Sequence, residues 1–308
     1  MRRSERFMSA LRDLTARRGT LTWRVLVGAG VALAVMYWWQ LTQTGGSPVD
    51  ARWYWSADPA NLYPHPELGE RNGYNYSPAF ELVVGWGRLL PFEVFTAIWR
   101  AFLLATVVYL AGPFTVLVLL WYPVASEINA GNIQLLLALA IVLGFRWPVT
   151  WAFVLLTKVT PGLGLVWFLL RRRWRDLAIA LGLTTAVALV TFALWPDRWA
   201  AYVKLITGGP APAVAPWDLT LWDRLPWAIA AVVVGAWRGW RWTVIVAATL
   251  ALPVFYWISP SLLVGTLPFV RAEIGRRLER RAVPPTGPSA PEQLPRQPVP
   301  GPSAILDP

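Results

Sequence analysis

The sequence predicts an all-α protein of the polytopic membrane class, and three observations carry that prediction. The 308 residues are 56% hydrophobic and only 15% charged, where a soluble domain needs nearer a quarter charged residues to cover its surface. Apolar runs recur along the chain, enough for about 8–10 membrane helices of roughly 20 residues or fewer each. The 21 tryptophans are far above ordinary usage, and many fall near the ends of those runs, where an indole prefers the membrane–water interface.

Taken in order, a first helix is expected over 22–41. It is too long for a signal-peptide core and no convincing cleavage site follows it, so it reads as a retained span. A polar stretch over 42–77, rich in Gly, Pro, Asp, Glu, Asn and Tyr, forms a first outer loop. A short helix over 78–90 and a fuller one over 92–111 come next. Two short runs, 114–124 and 133–145, flank a polar hinge at 125–132. The run 149–170 spans, four arginines interrupt at 171–175, and 177–195 spans again. A second outer loop is expected over 196–226, with Asp197, Lys204, Asp218 and Asp223. The last runs are 227–237, 242–258 and 262–270; those at 78–90, 114–124 and 262–270 also suit re-entrant segments. The domain plan is a basic segment 1–21, a membrane-embedded domain 22–270 and a tail 271–308 too rich in proline to build a core. No internal repeat of the kind common in transporter folds is visible.

The net charge of +11 does not indicate a nucleic-acid partner. Its arginines cluster before the first run (Arg2, Arg3, Arg6, Arg12, Arg17, Arg18), between two runs (Arg171, Arg172, Arg173, Arg175) and after the last (Arg271, Arg276, Arg277, Arg280, Arg281). Short basic segments beside apolar spans are the positive-inside pattern, and they orient a chain in the bilayer. They put both termini in the cytoplasm and both polar loops outside, in a multi-pass plasma-membrane protein, expected to be bacterial. The absence of cysteine and the single histidine, His65, exclude disulfides, thiolate nucleophiles and multi-histidine metal sites.

Four places can carry chemistry. Asp50, about nine residues beyond the first helix, suits a general base near the outer surface; equally, it suits the cap of a short helix starting at Ala51. Lys158 stands in the middle of a spanning run, where an ammonium costs about 3 kcal/mol unless it faces a protein interior or wet cavity. Pro161 can open such a cavity, and a lipid phosphate is a plausible partner; the alternatives are snorkelling or an ion pair with Glu81 or Glu127. Arg100 invites the same argument. The hinge Ser126-Glu127-Ile128-Asn129-Ala130-Gly131-Asn132-Ile133-Gln134 either lines polar space or caps and glues helices. Trp217-Asp218 and Trp222-Asp223 suit sugar stacking or plain interfacial anchoring.

In order along the chain, the Asp50 loop, Tyr74-x-Tyr76-x-Pro78, Gly131-Asn132-Ile133-Gln134, and Thr157-Lys158-Val159-Thr160-Pro161 with Arg171-Arg172-Arg173-Trp174-Arg175 resemble glycosyltransferase family 87. These are polyprenol-phosphate-mannose-dependent mannosyltransferases with a GT-C type membrane fold, and the resemblance covers roughly 22–195. It implies transfer of a sugar, typically mannose, from a polyprenyl-phosphate donor to a lipid or glycan acceptor outside the cytoplasm, with inversion. It places Asp50 on the catalytic carboxylate, and Lys158, Tyr74 and Tyr76 near the donor. Arg52, Tyr54, Glu127 and Asn132 complete the donor- and substrate-binding candidates. No cofactor is expected, and no divalent metal is demanded, though outer-loop carboxylates could bind one. Family members usually carry further helices at the C-terminal end. The alternatives to an enzyme are a transporter or flippase of a lipid-linked substrate, which needs no outer carboxylate, and an inactive scaffold.

Overall fold

The computed structural model describes residues 48–64, 73–208 and 219–282, with single positions between 24 and 39. Most of the expected first span, the basic segment 1–21, Asp218 and the tail beyond 282 lie outside the described residues. The chain up to Arg271 forms one compact unit. Among the described residues every regular element is helical, as the apolar pattern requires.

Among the described residues two helices are long and apolar enough to cross a membrane, or three if one bent pair counts as a single span. These counts cover the described residues alone; there, glycine, proline or a charged residue divides the other apolar runs into shorter helices. After α1 (Val49–Ser56) the chain makes a 3-10 turn at Pro78–Phe80, one turn of helix α2 (Glu81–Val84), and a second 3-10 segment, Gly85–Leu89. Here the sequence suggested one short helix. Gly87 lies against Phe95, where a Cβ would come within 2.5 Å of the ring.

The first long span is α3 (Phe92–Ala111), continued by α4 (Thr115–Leu120). Pro113 lacks the N–H that would reach the Tyr109 carbonyl. Arg271 supplies the missing donors, its Nη2 lying 3.4 Å from Tyr109 O and 2.9 Å from Leu110 O. Gly112 lets it in: a Cβ there would sit 1.7 Å from Arg271 Nη1.

The bent pair is α5 (Tyr122–Ala130) and α6 (Gln134–Gly144), turned by 106°. The hinge is therefore shorter than the sequence suggested: most of 125–132 is helical, and the bend is confined to Gly131, Asn132 and Ile133. The run 149–170 is likewise broken, into α7 (Trp151–Thr157), a 3-10 segment Thr160–Gly164, and α8 (Leu165–Leu170). Lys158 sits at that break in extended backbone, φ −138° and ψ 110°, rather than inside a continuous helix. Pro161 and the glycines at 162 and 164 account for it, since neither type sustains an α-helix.

The second long span is α9 (Trp174–Leu194). It leads into α10 (Pro196–Thr207), where a polar loop was expected. Proline at the first helical position and inward-facing Tyr202 and Leu205 explain the helix. α11 (Leu221–Arg238) begins earlier than its apolar run, at a Thr220/Asp223 capping box. Asp223 caps a helix there. α12 (Trp242–Leu250) ends before Pro253, and the buried Arg224 gathers the freed carbonyls, donating to Leu219 O at 2.9 Å, Leu250 O at 2.7 Å and Leu252 O at 3.0 Å. A 3-10 segment, Ser259–Thr266, packs on α6 and leads into α13 (Leu267–Ala282).

The order of packing defines two ends. α6 runs from the hinge to Phe145, α7 returns to Lys158, α8 runs out to Arg171, and α9 returns to α10. Tyr202 of α10 meets Tyr63, which follows α1, at 5.9 Å between ring centroids. The hinge and Lys158 therefore share one end of the bundle, and the arginines 171–175 lie at the other. The 11 residues of α6 separate the hinge from Phe145, and so from Arg173, by about 17 Å.

Candidate active site

The site begins with α1. Pro48 precedes the helix, which starts at Val49 without a side-chain cap; capping is therefore not the work of Asp50. Asp50 and Tyr54 lie one turn apart and so share a face. Asp50 Oδ2 accepts from Asn132 Nδ2 at 3.1 Å, across 82 positions of sequence. The amide's orientation follows from its other end: Asn132 Oδ1 accepts the Ile133 N–H at 2.6 Å, which turns the NH₂ toward the carboxylate.

Gly131 makes that contact possible. It ends α5 in the left-handed region, φ +74°, the usual glycine position after a helix. Its carbonyl accepts from Trp99 Nε1 at 2.7 Å. A Cβ on it would lie 2.6 Å from Ala51 Cβ, so α1 and the hinge meet backbone to backbone.

Glu127 is completely buried one turn earlier. Its Oε1 accepts the N–H of Gln134 in a very short bond and that of Leu135 at 3.3 Å. Half of this carboxylate thus caps α6, where a negative charge meets the positive end of the helix dipole. Its Oε2 is buried without a hydrogen-bond partner, as are both amide atoms of Gln134.

The segment leading into Pro78 forms the opposite wall. Ser77 Oγ donates to Leu156 O, tying this segment to the end of α7. Tyr76 is thereby brought to Lys158, whose Nζ stands 5.8 Å from the Tyr76 ring centroid. The hydroxyls of Tyr76 and Tyr54 are 2.9 Å apart, and Tyr63 donates to Tyr76 O at 2.7 Å. Asp50, Tyr54, Tyr76, Glu127, Asn132 and Lys158 therefore come together from four separate stretches of chain. Tyr74 is turned aside toward Glu81 and Tyr63. Arg52 is not brought in: it is exposed on the far side of α1, 4.5 Å above the Phe92 ring. Glu81, considered as a partner for Lys158, pairs instead with Arg88 at 2.6 Å. Arg100 donates to Asn129 O and Oδ1 at 2.8 and 2.9 Å.

Burial pushes the Asp50 carboxyl up to about 6, against the opposing pull of the Lys158 charge and the Asn132 hydrogen bond. Burial also drives the phenols of Tyr54, Tyr74 and Tyr76 well above their ordinary value. They remain protonated at neutral pH and act as hydrogen-bonding groups. Among the described residues no three His, Cys, Asp or Glu side chains gather as a metal site. Three participants escaped the sequence reading: Trp99, Tyr63, and Tyr256, which lies near enough to act on Tyr76. Only their placement in space reveals them.

A helical membrane bundle with a carboxylate, an amide and an ammonium gathered at one end defines the general class. The pattern of glycosyltransferase family 87 matches residues 74–266, more than half of the chain. The protein belongs to that family and is a membrane glycosyltransferase. No curated protein and no solved structure matches it. The matched stretch contains Tyr76, Glu127, Asn132 and Lys158 but begins after α1, so the place of Asp50 rests on geometry.

Proposed function

We propose that the protein transfers a sugar, mannose, from a polyprenyl-phosphate donor to a hydroxyl of a lipid or glycan acceptor, at the membrane face that holds Asp50. The observation that carries this reading is the Asn132–Asp50 hydrogen bond beside Lys158. It holds one carboxylate oxygen and leaves the other for an incoming hydroxyl.

In the proposed step the acceptor oxygen forms a bond to the anomeric carbon as its proton passes to Asp50. The bond from that carbon to the phosphate oxygen breaks, and its electron pair leaves with the lipid phosphate. One displacement inverts the anomeric centre. The Lys158 ammonium stabilises the charge that grows on the leaving phosphate, where a fixed cation in a water-poor site is worth most. No acid is required, because the leaving group is already a phosphate ester. Tyr54 and Tyr76, protonated, bind sugar hydroxyls, and Glu127 holds the hinge. With the arginine-rich end in the cytoplasm, this face is the outer one.

The test is sugar transfer in membranes containing the protein, supplied with radiolabelled polyprenyl-phosphate mannose and a lipid extract. A labelled product made by the wild type and not by Asp50→Asn supports the reading. Equal product from both removes Asp50 from the mechanism.

A further inference from the structure

The end of the bundle opposite Asp50 carries a second arrangement that sugar transfer does not use. Packing of α8 on α11 brings Arg171 Nη1 to 3.4 Å from Ala236 O. Arg173 Nη2 donates to Phe145 O at 3.2 Å, and the Arg241 guanidinium lies 5.5 Å from the centroid of the same Phe145 ring. The ends of α6, α8 and α11 and the start of α12 thus converge around Phe145. They place Arg146, Arg171, Arg172, Arg173, Arg238 and Arg241, from three separate regions of sequence, at one end of the molecule. Asp176 pairs with Arg173 at 2.5 Å; Arg146, Arg171, Arg172 and Arg238 are exposed and have no carboxylate partner among the described residues.

Orientation in a bilayer asks only for positive charge somewhere in these loops. Two features go further. Arg172 occupies the left-handed region, φ +54°, the only described residue other than glycine to do so; glycine would take that position at lower cost. The guanidiniums are also interleaved with exposed indoles. Arg146 lies 4.9 Å from the Trp147 ring, and Arg238 lies 4.8 Å from Trp237 and 5.6 Å from Trp240. Trp237 continues an exposed apolar stripe of α11 through Val233 and Ile229. Cations that bind phosphate in a forked geometry, set at the rim of an apolar surface, suit a ligand with an anionic head and hydrocarbon tails.

We propose that this end of the protein is a binding site for anionic phospholipid, its phosphate held by Arg171, Arg172 and Arg238 and its acyl chains lying along Trp237, Val233 and Ile229. The site is independent of the transferase reading and lies at the other end of α6 from the hinge.

Purified full-length protein in neutral detergent is titrated with phosphatidylglycerol and with phosphatidylcholine, and bound lipid is counted by native mass spectrometry. Phosphatidylglycerol is expected to bind at least about tenfold more tightly, the ratio that one charge-assisted hydrogen bond supplies. Arg172→Gly, combined with Arg238→Gln, is expected to remove that preference and leave phosphatidylcholine binding unchanged. Arg172→Gly alone should melt at or above the wild-type temperature while binding phosphatidylglycerol more weakly, which separates a lost contact from misfolding. Equal affinity for the two lipids would overturn the proposal. So would wild-type preference in the double variant, or displacement of the lipid by soluble glycerophosphate at equal concentration.

Discussion

Replacing Gly131 by alanine tests whether the hinge positions the carboxylate. Two penalties act at this residue. A side chain in left-handed backbone costs about 1–2 kcal/mol, and the new Cβ would lie 2.6 Å from Ala51 Cβ and 3.4 Å from both Ala51 N and Trp99 Cδ1. Overpacking of that kind costs about 1–3 kcal/mol, so the variant should lose about 2–5 kcal/mol unless α1 gives way. Restoring ordinary contact requires α1 to retreat by about 1 Å. Asp50 precedes Ala51 in that helix, so its 3.1 Å bond to Asn132 would stretch to about 4 Å, beyond hydrogen-bond reach. A misplacement of about 1 Å at a reacting group can lower a rate by about 100-fold. The assay is sugar transfer from polyprenyl-phosphate mannose per unit of folded protein, with the melting temperature measured in parallel. Ala51→Gly added to the variant removes the clashing atom, so it should recover much of the transfer while the backbone penalty persists in the melting temperature. Transfer and melting both at wild-type level in Gly131→Ala would refute the idea that this contact holds the site. Loss of transfer with no recovery in the double variant would refute the steric account.

Further consequences can be measured in the same membranes. Asp50→Asn should lower transfer by about 100- to 10,000-fold, the usual contribution of a positioned base, at unchanged expression. If Asp50 is the base as proposed, transfer should fall as pH drops through about 6, where its half-buried carboxyl takes up a proton. Asn132 donates to the ionised form and so favours it; Asn132→Ala should therefore move the acid limb of the pH–rate profile to higher pH, and a limb that stays put would disconnect that amide from the base. Lys158→Met should lower transfer by roughly 100-fold or more through loss of charge stabilisation at the leaving phosphate, and should also raise the limb, because the Lys158 charge favours ionised Asp50. Arg224→Ala should cost about 3–5 kcal/mol, since the carbonyls of Leu219, Leu250 and Leu252 lose a buried donor. Thermal unfolding in detergent reports it, and an unchanged midpoint would show that water replaces the guanidinium.

The sequence by itself determined the class of this protein and the residue types available to its chemistry. Apolar runs and scarce charge are properties of composition and short windows, so they show an all-α membrane chain without any contact being known. The same local reading marked Asp50, the Gly131-Asn132 turn and Lys158, because a charge or polar break in apolar surroundings stands out on its own. It missed the capping box at Thr220, a local signal hidden beside a polar stretch, and the helix Pro196–Thr207, whose apolar side is only two buried residues wide. It overstated continuity: 149–170 reads as one span, yet Pro161 and two glycines break it at the lysine. Only the tertiary structure decided which groups meet. Asn132 reaches Asp50 across 82 positions, Ser77 carries Tyr76 to Lys158 by bonding to the end of α7, and Arg52, two residues from Asp50, is turned away onto Phe92. Such partnerships depend on how helices pack and where their backbones bend, and burial of apolar surface does not specify those pairings from any one segment of the chain.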